Sequence, residues 1–405
     1  MPLIVQKYGG TSVADAEKIK HVARRAIAAK DKGSDVVVVI SAMGDSTDDL
    51  IALAHQITDH PDEREMDILL STGEIVSSTL LSMAIKSLGQ KAISLTGAQA
   101  GIQTDRVYSQ ARIRSISPQR VQSELKAGNI VVVAGFQGVT EDMEVTTLGR
   151  GGSDTTAVAL AVSLKADACE IYTDVEGVFT ADPRIVPEAR RIPEIDYEEM
   201  VELATYGAKV MHPRAVEIAQ IHNLPILVAC SFNDKPGTVI RGGIPMEVRN
   251  KARGIAHDLN VAKVTIRGVP DKPGIAATIF EPLAAANISV DTIVQNSSVD
   301  GLADLTFTVT RNDLNKAMKV VEPIAKSIGA TSCISDAKLG KVSIVGTGMQ
   351  NTPGYAARMF RALYEAGINI ELITTSEIRI TCIVNETKVA DAVRSLHKAF
   401  QLDQE

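Results

Sequence analysis

The chain has 405 residues, of which 45% are hydrophobic and 22% charged, with a formal net charge of −7. This length exceeds what one hydrophobic core supports and indicates a globular protein of two or three domains. The negative charge, the absence of Trp and the 3% aromatic content argue against a basic nucleic-acid surface or a stacking platform for single strands.

The chain shows no targeting or membrane signal. It starts without a basic segment followed by a long apolar one, and no run of about 18 apolar residues occurs. Four widely spaced cysteines lie in apolar runs, which favours buried, reduced thiols. We therefore expect a cytoplasmic protein with no membrane contact.

The first 245 residues alternate short Val- and Ile-rich runs with amphipathic stretches. Such runs are typical of strands that are buried on both faces, and the alternation predicts a mostly parallel sheet with helices on both sides, a three-layer α/β/α sandwich. The clearest helices are predicted at 15–30 and 155–165. Strands are predicted at 3–6, 35–41, 91–95, 129–136, 168–173 and 225–230.

Two turn clusters, at 233–237 and 241–245, place the main domain boundary near residue 245. Beyond it the chain repeats itself: KVTIRG at 263–268 resembles KVSIVG at 341–346, and Pro-Gly at 273–274 recurs at 353–354, an offset of 80 residues. Each copy has the order of a small α+β domain, βαββαβ. We predict domains at 1–245, 246–340 and 341–405.

Two glycine-rich turns carry the chemistry of the first domain. The first strand runs into KYGGTS, residues 7–12, just before a helix. Glycine N–H groups at a helix start attract anions, and Lys7 adds a charge at the strand exit. A plain glycine turn with Ser12 as N-cap would explain the same residues.

The second turn, LGRGGSD at 148–154, also opens a helix. Ser153 or Asp154 could serve only as its N-cap, but three glycines around an arginine exceed what capping requires. Arg150 suits a carboxylate because its guanidinium binds with two parallel hydrogen bonds. Most of the remaining polar clusters follow predicted strands, where such sheets build their sites.

Together these motifs resemble the aspartate kinases of the amino-acid kinase superfamily. The resemblance rests on KYGGTS, SAMG at 41–44, STGE at 71–74, GRGGSD, TDVEGV at 173–178, TADPR at 180–184 and GAKVMHP at 207–213, in order over nearly the whole chain. The repeat resembles a tandem ACT domain. Glu176 departs from the family pattern, which has Asp or Asn there.

The resemblance implies that the protein phosphorylates the side-chain carboxylate of L-aspartate with ATP. It assigns Lys7 and Asp154 to catalysis, with Asp154 organising the lysines around the phosphoryl group. It assigns these residues to ATP: Lys7, Gly9, Gly10, Ser41, Thr173, Asp174, Asp182, Arg184 and Lys209. It assigns these to aspartate: Thr47, Glu74, Arg150, Gly151, Gly152 and Ser153.

These roles agree with the chemistry. The nucleophile is a carboxylate that is ionised at pH 7, so no general base is needed, and we interpret His212 as structural. Transfer between two anions needs charge neutralisation and in-line positioning instead. No dedicated carboxylate cage is present, so Mg²⁺ is expected to bind mainly through the ATP phosphates, and protein ligands for it stay unknown.

The ACT resemblance implies feedback regulation by lysine, threonine or both, as the first enzyme of their biosynthesis. Paired ACT modules also imply a homodimer, and Met246 could start a short regulatory chain in an α2β2 assembly. The expected effector contacts are Asp271, Gly274, Ile275, Ala276, Asn287, Asp291 and Gln295 in the first copy, and Asn351, Gly354, Asn369, Ile370 and Ser376 in the second.

Three alternative functions agree less well with the sequence. Another amino-acid kinase, acting on glutamate or acetylglutamate, should lack GRGGSD with STGE and the tandem repeat. A catalytically silent sensor is disfavoured because all the expected polar positions are present. A dinucleotide oxidoreductase is disfavoured because no G-x-G-x-x-G follows a strand with an acidic residue about 20 positions later.

Overall fold

The computed structural model describes residues 1–244, 252–297, 301–349 and 352–404. They divide into two compact units. Unit 1 consists of Met1–Phe179 and Arg191–Val248, and unit 2 of Thr180–Arg190 and Arg249–Glu405. The short segment 180–190 therefore leaves the first unit and belongs to the second.

Unit 1 is built on an eight-stranded sheet in the order β10-β12-β11-β9-β1-β2-β6-β3. Neighbouring strands pair in parallel, except that β12 runs antiparallel to β11. The strands are β1 (Leu3–Tyr8), β2 (Asp35–Ile40), β3 (Ala92–Leu95), β6 (Ile130–Ala134), β9 (Ala168–Thr173), β10 (Glu194–Ile195), β11 (Ile226–Cys230) and β12 (Thr238–Ile240).

Helices cover both faces of this sheet, as its apolar strands predict. On one face Val36, Val38 and Ile40 pack with apolar residues of α1 and α3. Val37 and Val39 alternate to the opposite face, where they are also fully buried and where α5 lies. The helices are α1 (Ala16–Asp31), α2 (Ser46–Ile57), α3 (Glu63–Ser87), α4 (Gln119–Lys126), α5 (Gly152–Leu164), α6 (Tyr197–Thr205) and α7 (Pro213–His222).

Unit 1 contains a second sheet of four strands, in the order β5-β4-β7-β8. The sequence analysis did not predict this sheet. Its strands are only three or four residues long, too short to show a period: β4 (Ile102–Thr104), β5 (Ile113–Ile116), β7 (Gln137–Val139) and β8 (Val145–Thr147). Among the described helices, α3 alone is long and apolar enough to cross a membrane, but half of its apolar window is buried inside the unit. We therefore interpret α3 as a core helix.

Unit 2 contains one six-stranded antiparallel sheet in the order β14-β15-β13-β16-β18-β17. Its strands are β13 (Gly254–Pro270), β14 (Ile293–Ser297), β15 (Leu302–Val309), β16 (Ser332–Val345), β17 (Leu372–Thr375) and β18 (Arg379–Asn385). Its helices are α8 (Ile275–Ala285), α9 (Leu314–Ser327), α10 (Tyr355–Glu365) and α11 (Val389–Ala399).

The two sequence copies share their long strands. The second half of β13 pairs with the first half of β16 inside copy one, and the first half of β13 pairs with the second half of β16 inside copy two. Copy two ends with α11, so its fourth strand position is filled by residues 254–258 of β13. The predicted βαββαβ order thus holds within the chain for copy one, whereas copy two borrows its last strand.

Each copy has its own apolar core under its helices. Copy one packs Val264, Ile279 and Phe307 together. The core of copy two also contains Ala181 and Val186 from the 180–190 segment. That segment is held further by a buried 2.9 Å hydrogen bond between Thr180 Oγ1 and His397 Nε2.

The α/β/α sandwich with two α+β modules predicted from the sequence is confirmed. All six predicted strands of the main sheet are present, with ends that differ by at most two residues. All four cysteines are free thiols; Cys333 is half-buried and the other three are buried. Met246 and Asn351 lie outside the described residues.

Candidate active site

The ends of four parallel strands meet at one edge of the main sheet. Gly9 N–H donates to Tyr172 O over 3.2 Å, Ser41 N–H to Tyr8 O over 3.1 Å, and Gly135 N–H to Ile40 O over 3.0 Å. These bonds join the first residues beyond β1, β2 and β6 to neighbouring strands. The predicted phosphate-binding residues Lys7, Gly9 and Ser41 are therefore brought together, as parallel strands require.

Gly10 allows a close backbone approach beside this edge. A Cβ on Gly10 would lie 2.9 Å from Ala42 O and 3.2 Å from Gly44 O, so any side chain would push the two loops apart. Gly44 N–H donates to Gly10 O over 3.1 Å. The KYGGTS and SAMG motifs thus form one packed loop pair.

An ion pair between Lys7 and Asp154 lies at the centre of the site. Lys7 Nζ is 2.6 Å from Asp154 Oδ1, and the two side chains are 12% and 10% exposed. Asp154 lies in the first turn of α5, where the helix dipole favours a negative group, and its Oδ2 accepts from His212 N–H over 3.3 Å. A cation is therefore held in place at the strand exit.

The loop that precedes α5 is shaped by its glycines. Gly149 and Gly151 have φ of 74° and 70°, a left-handed conformation that favours glycine. A Cβ on Gly151 would lie 2.3 Å from the ring of His212. His212 therefore packs directly on the loop that carries Arg150 and Ser153, which is a structural contact.

Burial favours the neutral form of the His212 ring. Burial lowers the pKa of this imidazole, and the nearby Asp154 carboxylate only partly opposes the effect. Its Nδ1 is buried and has no hydrogen-bond partner among the described residues. A neutral ring at this position does not compete with Lys7 for Asp154.

Glu74 is a buried carboxyl on α3. The residue is 3% exposed, and its Oε1 accepts from Ala42 N–H over 3.1 Å. Burial raises the pKa of Glu74 to about 7, against the lowering effect of the Ala42 hydrogen bond. Its Oε2 has no hydrogen-bond partner among the described residues. Such a group gains from a cation delivered to it.

The other predicted aspartate ligands also belong to unit 1, and their side chains differ in solvent exposure. Arg150 is exposed, and no carboxylate in the described part of the chain pairs with it. Thr47 lies in the first turn of α2 and is half-buried. Ser153 is buried in the first turn of α5, and its Oγ lies 2.9 Å from where a Cβ on Gly135 would be.

The predicted nucleotide residues fall in both units. In unit 1, Thr173 ends β9 and its hydroxyl donates to Asp174 Oδ1 over 3.0 Å, while Lys209 is exposed. Asp182 and Arg184 belong to unit 2 and pair at 2.7 Å; this hydrogen bond to Arg184 lowers the pKa of Asp182. Their nucleotide role stays a prediction.

The predicted effector residues of copy one surround the start of α8. Gly274 has φ of 93° and caps this helix, with Ile275 buried and both Asp271 and Ala276 exposed. Asn287 is also exposed, with φ of 52°, and Gln295 lies exposed on β14.

Asp291 forms an ion pair of 2.8 Å with Lys341, a residue that the sequence analysis did not select. In copy two, Gly354 has φ of 108° and caps α10, Asn369 and Ser376 are exposed and Ile370 is half-buried.

Sequence reasoning also missed Asp67, a fully buried carboxylate on α3. A charged residue inside the otherwise apolar run MDILL was the available signal. Its hydrogen bonds lead to the loop that carries Arg150, as described below. No group of three or more His, Cys, Asp or Glu side chains in the described ranges is arranged to hold a metal ion.

Family models match three regions of the chain. Residues 2–230 match the model of the amino acid kinase family, and residues 264–325 and 342–400 match ACT domains. The chain is 52% identical to the aspartokinase of Mycolicibacterium smegmatis, covering 99% of this chain and 97% of that one. It is 51% identical to the aspartokinase of Pseudomonas aeruginosa, covering 100% and 98%.

Solved structures resemble the whole chain. Escherichia coli aspartokinase III in complex with aspartate and ADP, in its R-state, has a TM-score of 0.85 at 25% identity, covering 98% of this chain and 100% of that one. The same enzyme in complex with lysine and aspartate, in its T-state, has a TM-score of 0.74 at 25% identity, covering 98% and 99%.

Proposed function

The chain belongs to the amino acid kinase family and, within it, to the aspartokinases, and from this premise we propose how its residues perform and regulate the reaction. ATP donates its γ-phosphoryl group to the side-chain carboxylate of L-aspartate, which yields 4-phospho-L-aspartate. The observation that carries the proposal is the Lys7–Asp154 pair at the mouth of the parallel sheet, next to two glycine-rich turns.

The nucleotide phosphates bind where the strand ends and the glycine turns meet. The N–H group of Gly10 and the side chains of Lys7 and Ser41 face the triphosphate, and Gly9, whose N–H donates to Tyr172 O, leaves room for its close approach. Lys7 places its charge beside the oxygens that become more negative during transfer, while Asp154 fixes the ammonium in position. Thr173, Asp174 and Lys209 extend the nucleotide site along the same edge.

The substrate aspartate is held by its α-carbon groups. Glu74 receives the α-ammonium, which supplies the cation that this buried carboxyl lacks. Arg150 binds the α-carboxylate with two parallel hydrogen bonds. Thr47, Ser153 and the backbone of Gly151 and Gly152 complete the site, so that the side-chain carboxylate points at the γ-phosphorus.

The reaction then needs no proton transfer from the nucleophile. A free aspartate side chain has a pKa near 3.9 and attacks as the carboxylate. One carboxylate oxygen forms a bond to the γ-phosphorus, the bond from phosphorus to the bridging oxygen breaks, and ADP leaves with that electron pair. Catalysis is positioning and charge neutralisation, for which the site offers Lys7 and the N-terminus of α5.

Mg²⁺ fits this arrangement as a partner of the nucleotide. Asp154 already pairs with Lys7, and no group of three or more possible ligands in the described residues is arranged for a metal ion, so Mg²⁺ would bind mainly through ATP oxygens and water. When bound, the ion neutralises charge on the β- and γ-phosphates.

Regulation is proposed to act through the ACT pair of unit 2. Exposed backbone N–H groups at the start of α8, after Gly274, suit the carboxylate of an amino acid, and Asp271 suits its ammonium. Asp291 already pairs with Lys341, so an effector ammonium at Asp291 competes with that ion pair. We expect lysine, threonine or both as effectors, in keeping with a first step toward lysine, threonine and methionine.

The assembly and the cellular setting follow from the same proposal. Pairing of ACT modules from two chains gives a dimer, and a second product started at Met246 would give an α2β2 assembly. Purification of the wild-type gene product tests this directly, because a single band without a chain of about 160 residues excludes the short subunit. The enzyme is expected in the cytoplasm, where ATP and aspartate are present.

Acyl phosphate trapping tests the proposed reaction. The purified chain is incubated with ATP, Mg²⁺, L-aspartate and hydroxylamine, which converts an acyl phosphate into a coloured hydroxamate. We expect aspartate-dependent hydroxamate that decreases when lysine, threonine or both are added. Product with glutamate or its acetylated form, but none with aspartate, would contradict the substrate, and none with any of them would favour a silent sensor.

A further inference from the structure

Asp67 is an aspartate with no solvent exposure, and the hydrogen bonds of its side chain to Ser109 and Thr147 lead away from its own helix. Its Oδ1 and Oδ2 accept from Ser109 N–H over 3.1 and 2.9 Å. Oδ2 also accepts from Thr147 N–H over 2.8 Å, and Oδ1 accepts from Thr147 Oγ1 over 2.6 Å. A buried carboxylate is costly unless its oxygens are satisfied, and here three donor groups make four contacts with them.

Both partners of Asp67 flank the loop that carries Arg150. Thr147 is the last residue of β8, and the glycine-rich turn follows it immediately. Ser109 has φ of 64°, a strained conformation for a residue other than glycine, and its carbonyl oxygen would lie 2.9 Å from a Cβ on Gly149. Asp67 therefore holds one end of the turn directly and supports its first glycine through Ser109.

The same helix carries Glu74. The two carboxylates on α3 are seven residues apart, about two turns or roughly 10 Å along the axis, and both side chains are buried. One helix thus carries both Glu74, the proposed ligand of the α-ammonium, and Asp67. Asp67 holds the loop of Arg150, which is the proposed ligand of the α-carboxylate.

We infer that Asp67 is a positioning residue for aspartate binding, which fixes the Arg150 turn relative to Glu74. This inference rests on the proposed assignment of Arg150 and Glu74 to the substrate. Asp67 is too deeply buried to contact substrate itself, and it acts through Thr147 and Ser109.

The informative variant is Asp67→Asn, which keeps the shape of the side chain. The amide has one acceptor oxygen instead of two. Its NH₂ group would face backbone N–H donors of Ser109 or Thr147, with which it cannot form a hydrogen bond. We expect the KM for aspartate to rise at least tenfold, with the KM for ATP changed less than twofold. A merely structural role would lower the amount of folded enzyme without separating the two KM values.

Two further variants keep the test decisive. Thr147→Val removes the hydroxyl hydrogen bond to Asp67 and keeps the backbone donor. The KM for aspartate should therefore rise by a smaller factor than in Asp67→Asn. Combining Asp67→Asn with Thr147→Val should raise the KM little further than Asp67→Asn alone. Ile85→Ala, also buried on α3 but packed in the main core, lowers stability without touching the turn and should leave both KM values unchanged.

The outcomes separate this inference from the proposed function. If the wild-type enzyme forms hydroxamate from aspartate while folded Asp67→Asn and Thr147→Val keep its KM for aspartate, the positioning role is wrong and the proposed function stands. If the wild-type enzyme forms none, the proposed function itself fails.

Discussion

Replacing Glu74 by glutamine should make the protein more stable and a poorer enzyme. Burial raises the pKa of this carboxyl from 4.5 to about 7 in the folded protein, whereas the unfolded chain keeps a value near 4.5. The folded state therefore binds this proton more tightly. The stabilisation that results is complete below pH 4.5 and is lost as the pH rises through 7.

The size of the effect follows from the two pKa values. Between the unfolded pKa of 4.5 and the folded pKa of about 7, the protonated Glu74 contributes about 3 kcal/mol to the free energy of unfolding. The wild type has lost about 1 kcal/mol of this contribution at pH 5 and nearly all of it at pH 8. Glutamine does not titrate, so Glu74→Gln escapes this loss. We expect its free energy of unfolding relative to wild type to increase by about 2–3 kcal/mol between pH 5 and pH 8.

Denaturant unfolding of the full chain across this pH range, read by circular dichroism, measures the difference. Glu63→Gln is the matched control, because it removes an exposed carboxylate from the same helix and should show no such gain. A Glu74→Gln curve parallel to wild type at every pH would refute the argument from burial.

Catalysis should change in the opposite direction. The α-ammonium of aspartate needs the ionised carboxylate, so wild-type kcat/KM for aspartate should fall about tenfold per pH unit below pH 7. Glu74→Gln loses a buried charged hydrogen bond, worth about 2–4 kcal/mol, and kcat/KM should drop by about 30- to 1000-fold at pH 8. Unchanged kcat/KM in the variant would remove Glu74 from the substrate site.

Three further predictions concern other parts of the chain. Gly151→Ala should reduce activity at least a hundredfold in a steady-state assay, because its Cβ would overlap the His212 ring at a left-handed φ; activity near wild type would contradict this packing. Lys341→Met leaves the Asp291 carboxylate without its 2.8 Å partner and should destabilise unit 2 by about 1–3 kcal/mol, measured by denaturant unfolding; equal stability would show that the ion pair contributes nothing. Val186→Asp places a charge in the core of copy two and should lower the hydrogen-exchange protection of that unit, whereas unchanged protection would mean that the segment 180–190 does not pack there.

The sequence predicted the main sheet well because its strands are buried on both faces. Runs such as DVVVVI have no polar alternation and end at turns, so local composition and burial agree. The strands of the small sheet, such as Val145–Thr147, carry no such signal, because three residues do not establish a period.

The segments that join copy two from distant parts of the chain were not predicted, for a different reason. Residues 254–258 complete copy two, and residues 180–190 join its core, although both lie far from that copy along the chain. Apolar side chains such as Ala181 and Val186 indicate burial, but they do not indicate against what. Only the folded arrangement supplies the partner.

In the candidate site, too, some residues could be selected from the sequence and others could not. Lys7, Arg150 and Asp154 lie in motifs after a strand or at a helix start, and the fold brings Lys7 and Asp154 within 2.6 Å. Glu74 was selected only through the family resemblance, and it lies in the interior of α3. Asp67 was not selected, because its role arises from hydrogen bonds to residues 42 and 80 positions away.

Hydroxamate formation by Lys7→Ala tests the central claim most directly, since the account makes this ammonium the fixed charge that stabilises phosphoryl transfer. The variant leaves Asp154 without its partner, and Lys20→Ala, which removes an exposed lysine from α1, is the matched control. We predict a rate at least a hundredfold below wild type for Lys7→Ala, with an unchanged circular dichroism spectrum and a near-normal rate for Lys20→Ala. A folded Lys7→Ala enzyme that forms hydroxamate at nearly the wild-type rate would contradict the account.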